Sequence, residues 1–207
     1  MSAQRKRERR ELIEHVLAQP WNVFGTLKFI NGRTIGRDTA HKLLRSYWNR
    51  VDRVYFGKAA ERKGVRVPRW CFAHEGSDSE NYHVHFAALA PTGDCADCCV
   101  VLNALWAQHH RQTAPLTKNW IMPVLDRDAV AEYLTREYWR MGDATLRDEL
   151  CWSRTSAGTL AQYEHDQQRA RIAAAVGSLW RQRAEEQFFA LQDKYKDIGD
   201  FTAFERC

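Results

Sequence analysis

The chain has 207 residues, 44% of them hydrophobic and 28% charged, a balance that fits a folded globular protein and argues against a disordered one. No apolar run approaches the ~18 residues that read as a membrane span, and the basic stretch 5–10 leads into no apolar segment of the kind a secretory leader carries. Six unevenly placed cysteines then predict reduced thiols in a cytoplasmic protein.

Charge is unevenly distributed. Residues 1–141 hold 22 Lys/Arg and 15 Asp/Glu, whereas residues 142–207 hold 9 and 11. A basic, aromatic-rich front section is compatible with nucleic acid, whose phosphates attract cations and whose bases stack on rings.

In chain order, residues 5–18 predict a helix with Leu12, Ile13, Val16 and Leu17 opposite a basic side, stopped by Pro20. Residues 21–30 (WNVFGTLKFI) predict a strand, and Asn31-Gly32-Arg33 a turn. A helix follows from Asp38 as its cap, with Leu44, Tyr47, Trp48, Val51 and Tyr55 at helical spacing and Gly57 at its end. Residues 70–73 predict a second strand, 76–80 a hairpin connection, and 82–90 (YHVHFAALA) a third strand. That third strand is apolar on both faces and therefore central. A helix through Val100, Leu102, Leu105 and Trp106 precedes a strand at 120–125, which Pro123 marks as an edge. Asp126 or Asp128 caps a helix from about 129 to 141, and residues 143–207 predict a helical extension. The order β-α-β-β-α-β-α predicts an α+β fold, an antiparallel sheet of about five strands flanked by helices.

His83-Val84-His85 lies in the middle of the predicted central strand, where side-chain alternation sends both imidazoles out of the same face. Glu75, eight residues earlier, belongs to the predicted neighbouring strand, and His74 is expected to point the other way. Two imidazoles and a carboxylate make a mixed nitrogen and oxygen site suited to Mn²⁺ or Mg²⁺. On the helix at 129–141, Val130, Leu134, Tyr138 and Met141 form an apolar side, and Tyr133, Arg136, Glu137 and Arg140 a polar stripe. A phenol beside two guanidiniums is where an activated nucleophile belongs, since cations favour phenolate and also hold phosphate.

Taken in order, Phe24-Gly25-Thr26-Leu27-Lys28-Phe29, then Glu75 with His83-Val84-His85, then Tyr133-Leu134-Thr135-Arg136 resemble the three motifs of the HUH endonuclease superfamily. The likeness is strongest to the rolling-circle replication initiators of small plasmids and phages. The motifs of that family look like F-x-T-L-T, His-hydrophobic-His and Y-x-x-K, and the resemblance spans roughly residues 20–141. It implies a nuclease domain at 1–142 with a helical extension at 143–207. It also implies metal ligation by His83, His85 and Glu75, with Tyr133 as the nucleophile assisted by Arg136. Contacts to DNA fall to Thr26, Lys28 and Arg140. Arg136 stands where lysine is usual, and Lys28 replaces a threonine.

The activity so implied is sequence-specific nicking and rejoining of single-stranded DNA at a replication origin, a hairpin being one form it can take. It proceeds through a 5′-phosphotyrosyl intermediate and leaves a free 3′-OH. A host helicase and polymerase are the partners such an enzyme would call on. No Walker A loop occurs, so no fused helicase is expected. Tyr133 and Tyr138 lie ~140° apart on a helix, which favours a single nucleophile. The alternatives are a single-tyrosine HUH transposase, a non-catalytic nucleic-acid-binding module, and a zinc protein built on Cys95 and Cys98, whose CxxC spacing lacks a second pair.

Overall fold

A computed structural model describes residues 3–74, 82–138 and 165–195. Its elements are α1 (Ala3–Leu17), β1 (Val23–Lys28), α2 (Arg37–Phe56), α3 (Lys58–Arg62), β2 (Arg69–His74), β3 (His83–Ala88), α4 (Cys95–Ala107), a 3-10 turn at Leu116–Lys118, β4 (Trp120–Pro123), α5 (Arg127–Leu134), α6 (His165–Val176) and α7 (Ser178–Tyr195). The fold is α+β, and among the described residues no helix is long and apolar enough to cross a membrane.

The strands form one antiparallel sheet in the order β2-β3-β1-β4. The predicted central strand is flanked on both sides, and the strand bearing Pro123 lies at an edge. Four strands are found among the described residues where about five were expected. Residues 112–114 do approach the end of β1: the Ile30 amide donates to Gln112 O (2.9 Å), the Ala114 amide to Lys28 O (3.0 Å), and Phe29 bridges Thr113. Pro115, which has no N–H, follows at once. The pairing remains an isolated bridge beside β4.

Each face of the sheet has its own cover. Val84 and Phe86 of β3, Leu27 of β1 and Cys71 of β2 share the back face, where Trp48 of α2 meets Phe86 edge-on at 5.2 Å and Tyr47 meets Trp106 of α4 at 5.0 Å. Gly25 permits this packing, because a Cβ there would stand 2.5 Å from the Phe86 ring. α6 and α7 lie outside α2 and α4. Arg171 donates to Val54 O and Tyr55 O at the end of α2 (3.1 and 2.9 Å), and Arg181 pairs with Asp97. Ile172, Val176 and Phe188 are buried against the body of the fold, whereas Leu179 is exposed.

α1 and α5 cover the front face. His15 of α1 meets Trp70 of β2 at 5.3 Å, and Tyr133 of α5 meets Phe24 of β1 at 5.8 Å. Asp126 caps α5 by accepting from the Ala129 amide (3.1 Å), and Asp94 caps α4 in the same way (2.9 Å). Two expected boundaries change. The N-cap of α2 is Gly36, with Asp38 inside the first turn, a position its negative charge favours at the positive end of the helix dipole. α5 ends at Leu134 rather than near 141. There the Thr135 hydroxyl donates back to Ala131 O (2.9 Å), and the Arg136 amide bonds Tyr133 O in a tighter turn (3.3 Å).

Between the sheet's back face and α2 lies a buried ion pair. Asp52 accepts two bonds from Arg69 (2.9 and 3.1 Å) and one from the Val67 amide (2.8 Å), while the Arg69 guanidinium stacks on Trp48. Removing one member leaves the other charge dry and unpaired. Asp52→Ala is therefore expected to lower unfolding free energy by about 3–5 kcal/mol, measured by urea denaturation. A loss under about 1 kcal/mol, typical of an exposed pair, would contradict the burial assigned to it.

Candidate functional site

The front face carries three histidines brought together by strand register. Antiparallel partners directly opposite one another share a face, and the pairs are Lys28↔His83 and Thr26↔His85 with β1, and His74↔His83 and Phe72↔His85 with β2. His74 therefore joins His83 and His85, contrary to the expectation that it points away. Face parity across a hairpin depends on where the pairing starts, which the polar run 76–80 leaves open in sequence. Glu75 and Arg140 lie outside the described residues.

His74, His83 and His85 are all buried, at 0, 8 and 1% exposure, and each offers a potential ligand atom within 4.8 Å of the others. Among the described residues this is the group of His, Cys, Asp and Glu arranged to hold a metal ion. The Nε2 atoms of His83 and His85 stand 3.1 Å apart, close to the ~3.0 Å between adjacent ligands at right angles on an ion about 2.1 Å away. Burial, reinforced by His74, His83 and Arg136, pulls His85 well below the usual imidazole range. It thus stays neutral, the form that ligates metal. Its Nδ1 lies 2.8 Å from Thr26 Oγ1. A proton on Nδ1 donated to that hydroxyl leaves Nε2 free, the outer contact that orients a metal-binding histidine.

His74 links this cluster to α5. With its proton on Nε2, it donates to Leu134 O (3.3 Å) and accepts on Nδ1 from Arg136 Nε (3.4 Å). Ligation of an ion would exchange one of these contacts for the metal. The Tyr133 ring lies 4.7 Å from that of His85, and the Arg136 guanidinium sits 4.4 Å above the Tyr133 ring. Glu137 is buried beside it, 3.8 Å from Arg136. Tyr138 is buried, as its apolar side predicted.

The basic N-terminal segment has a structural part that charge counting missed. Arg9 donates to Thr135 O (3.2 Å) and Glu132 O (3.0 Å), capping the carbonyl end of α5 on either side of Leu134. Arg127, at the start of α5, donates in turn to Leu17 O at the end of α1 (2.5 Å) and to Gln19 O just beyond it (2.6 Å). The two helices run in opposite directions, each closing the other's end. No short-range signal in the sequence joins residues 126 positions apart.

The cysteine reading is not supported by this arrangement. Cys95 and Cys98 open α4, and Cys98 is fully buried, its thiol pushed up to about 12 by burial. Zinc requires thiolate. Among the described residues no third ligand joins the pair.

A metal bound at the histidines raises stability, by about 2.7 kcal/mol at a hundredfold excess over Kd. Mn²⁺ is expected to raise the melting temperature of the wild type and to lose that effect in His83→Ala, His85→Ala and His74→Ala. An undiminished shift in His74→Ala would reduce that residue to packing. Thr26→Val is expected to weaken binding ~10–100-fold, read by calorimetric titration.

Compared with known proteins, the chain matches no family model, no curated protein and no solved structure.

Proposed function

We propose that the protein is a metal-dependent single-stranded DNA endonuclease and strand transferase of the HUH kind, acting at the initiation of rolling-circle replication. One observation carries this reading. Three motifs spread over more than a hundred residues meet at one point, with the Tyr133 ring against His85, Arg136 over that ring, and Thr26 on the other nitrogen of His85. A packing role alone gives no reason for a phenol, a guanidinium and three imidazoles to share the front of a sheet.

His83, His85 and His74 would hold Mn²⁺ or Mg²⁺, the three nitrogen donors suiting Mn²⁺ better. When bound, the ion polarises the scissile phosphate and orients it. The rest falls to the chain. Phe24, Phe72 and Trp120 lie on the same face but are buried as its packing, and Lys28, only partly buried at the end of β1, is placed for the DNA backbone. The Arg136 guanidinium favours the phenolate of Tyr133 and attracts phosphate.

Tyr133 Oη attacks phosphorus in line. A new P–O bond forms to the phenol, which gives up its proton. The bond to the 3′ oxygen breaks, and that oxygen takes a proton to become a 3′-OH. The phosphodiester's energy is retained in the 5′-phosphotyrosyl link, so another 3′-OH can reverse the step and seal a strand.

The direct test mixes the protein with a randomised single-stranded DNA pool and Mn²⁺ and resolves it on a denaturing gel. A covalent adduct is expected from the wild type and Tyr138→Phe, and none from Tyr133→Phe or with EDTA. An adduct that survives Tyr133→Phe would refute the assignment. DNA binding without any adduct would make the protein a binding module.

Arg9 acts through the helix end it caps and is a positioning residue. Arg9→Ala is expected to slow single-turnover adduct formation by ~10–100-fold, as small misplacements of a reacting group do, with DNA affinity unchanged. An unaltered rate would confine Arg9 to stability.

A further inference from the structure

The back of the molecule carries a concave surface whose chemistry differs from that of the buried histidine cluster. The outward side of α2, opposite the residues that bury Trp48 and Tyr47, meets α3 and the loop before β2 around an open depression of about 370 Å³. Four of its lining residues are cations: Lys42, Arg45 and Arg53 from α2, and Arg66 from the loop. Ser46 and Asn49, one turn apart, add polar groups between them. Glu61 is the sole acid lining it and is paired with Arg53 at 3.7 Å, while Arg66 is anchored to the buried Asp52 at 3.4 Å. Arg66 is thus held in place at the rim by a group beneath the surface.

We infer that this depression binds the phosphate backbone of double-stranded DNA flanking the nicked strand. The cations supply the sequence-independent attraction by which proteins hold phosphates, and serine and asparagine side chains are ordinary partners of phosphate oxygens. The form of nucleic acid follows from what lines each surface. Single strands are held by rings on which unpaired bases stack, and the partly buried Tyr133 ring beside the histidines lies on the front side. None of the seven residues lining the back depression is aromatic. A duplex keeps its bases stacked inside and offers only phosphates to such a surface. The two surfaces lie on opposite sides of the sheet, so one short strand does not fill both. The choice of DNA over RNA rests on the nicking function proposed above; the duplex-backbone chemistry does not.

The test is the salt dependence of binding to a labelled duplex of about 20 base pairs, by fluorescence anisotropy between about 50 and 200 mM NaCl. Each phosphate contact contributes about 0.9 to the slope of log K against log salt. Lys42→Gln with Arg45→Gln is expected to flatten that slope by about 2 and to weaken binding uniformly across sequences. Arg169→Gln with Arg183→Gln, two exposed cations on α6 and α7, is expected to leave it unchanged. Melting temperatures of both variants check folding, since all four residues are exposed.

Equal slopes in the wild type and the Lys42/Arg45 variant, or no duplex binding by the wild type, would overturn the inference. Tighter binding to duplex RNA than to duplex DNA would overturn the assignment to DNA. The measurement involves no nicking. Its failure leaves the adduct assay standing, and a missing adduct leaves the slopes readable.

Discussion

Everything on the front face follows from β3 being dry on both sides. All six of its residues are buried, so alternate positions face either the helices behind or α1 and α5 in front. Val84, Phe86 and Ala88 meet the back layer as ordinary core. The other parity puts two imidazoles where water does not solvate them, and buried polar groups need partners. The partners come from every neighbouring element: Thr26 from β1, His74 from β2, and through His74 the Leu134 carbonyl at the end of α5 and Arg136 in the turn after it. The same dryness that demands partners also keeps His85 uncharged. Satisfying the histidines and presenting Tyr133 are thus one packing solution.

Arginine has a second use in this molecule besides surface charge. The carbonyl ends of five helices are closed by guanidinium groups from distant elements: α5 by Arg9, α1 by Arg127, α2 by Arg171, and both α4 and α6 through Arg50, which donates to Leu105 O and Ala175 O. These side chains meet orphan carbonyls at the negative end of the helix dipole. Part of the positive balance of residues 1–141 is therefore structural. The cations around Lys42 and Arg45, out on the surface of α2, belong to a different population.

Local pattern carried much of the fold and part of the site. Strand alternation placed β1, β2, β3 and β4 correctly, with the centre and the Pro123-bearing edge identified, because each is written in a handful of adjacent residues. The His83/His85 pairing on one face followed from the same rule. His74 did not, because its face depends on strand register across the hairpin, a long-range property set by core packing on both sheet faces. The early stop of α5 escaped for a related reason. Thr135 is tolerable inside a helix, and only its hydroxyl bonding backward, with Arg9 reaching the freed carbonyls, ends the helix there. Helix-end capping by residues more than a hundred positions away has no period to read.

The crossed caps between α1 and α5 give the two helices a shared fate. Val16 is the buried residue of α1, whereas α5 buries Val130, Ala131 and Leu134, so α1 is the more weakly held of the two. Each nevertheless closes the other's end, and fraying at either terminus releases acceptors in both. The linked ends are expected to make the pair open as one unit, ahead of the sheet. Its amide protons should exchange with solvent together, and the tyrosine would be withdrawn from the histidines as a block whenever the pair lifts.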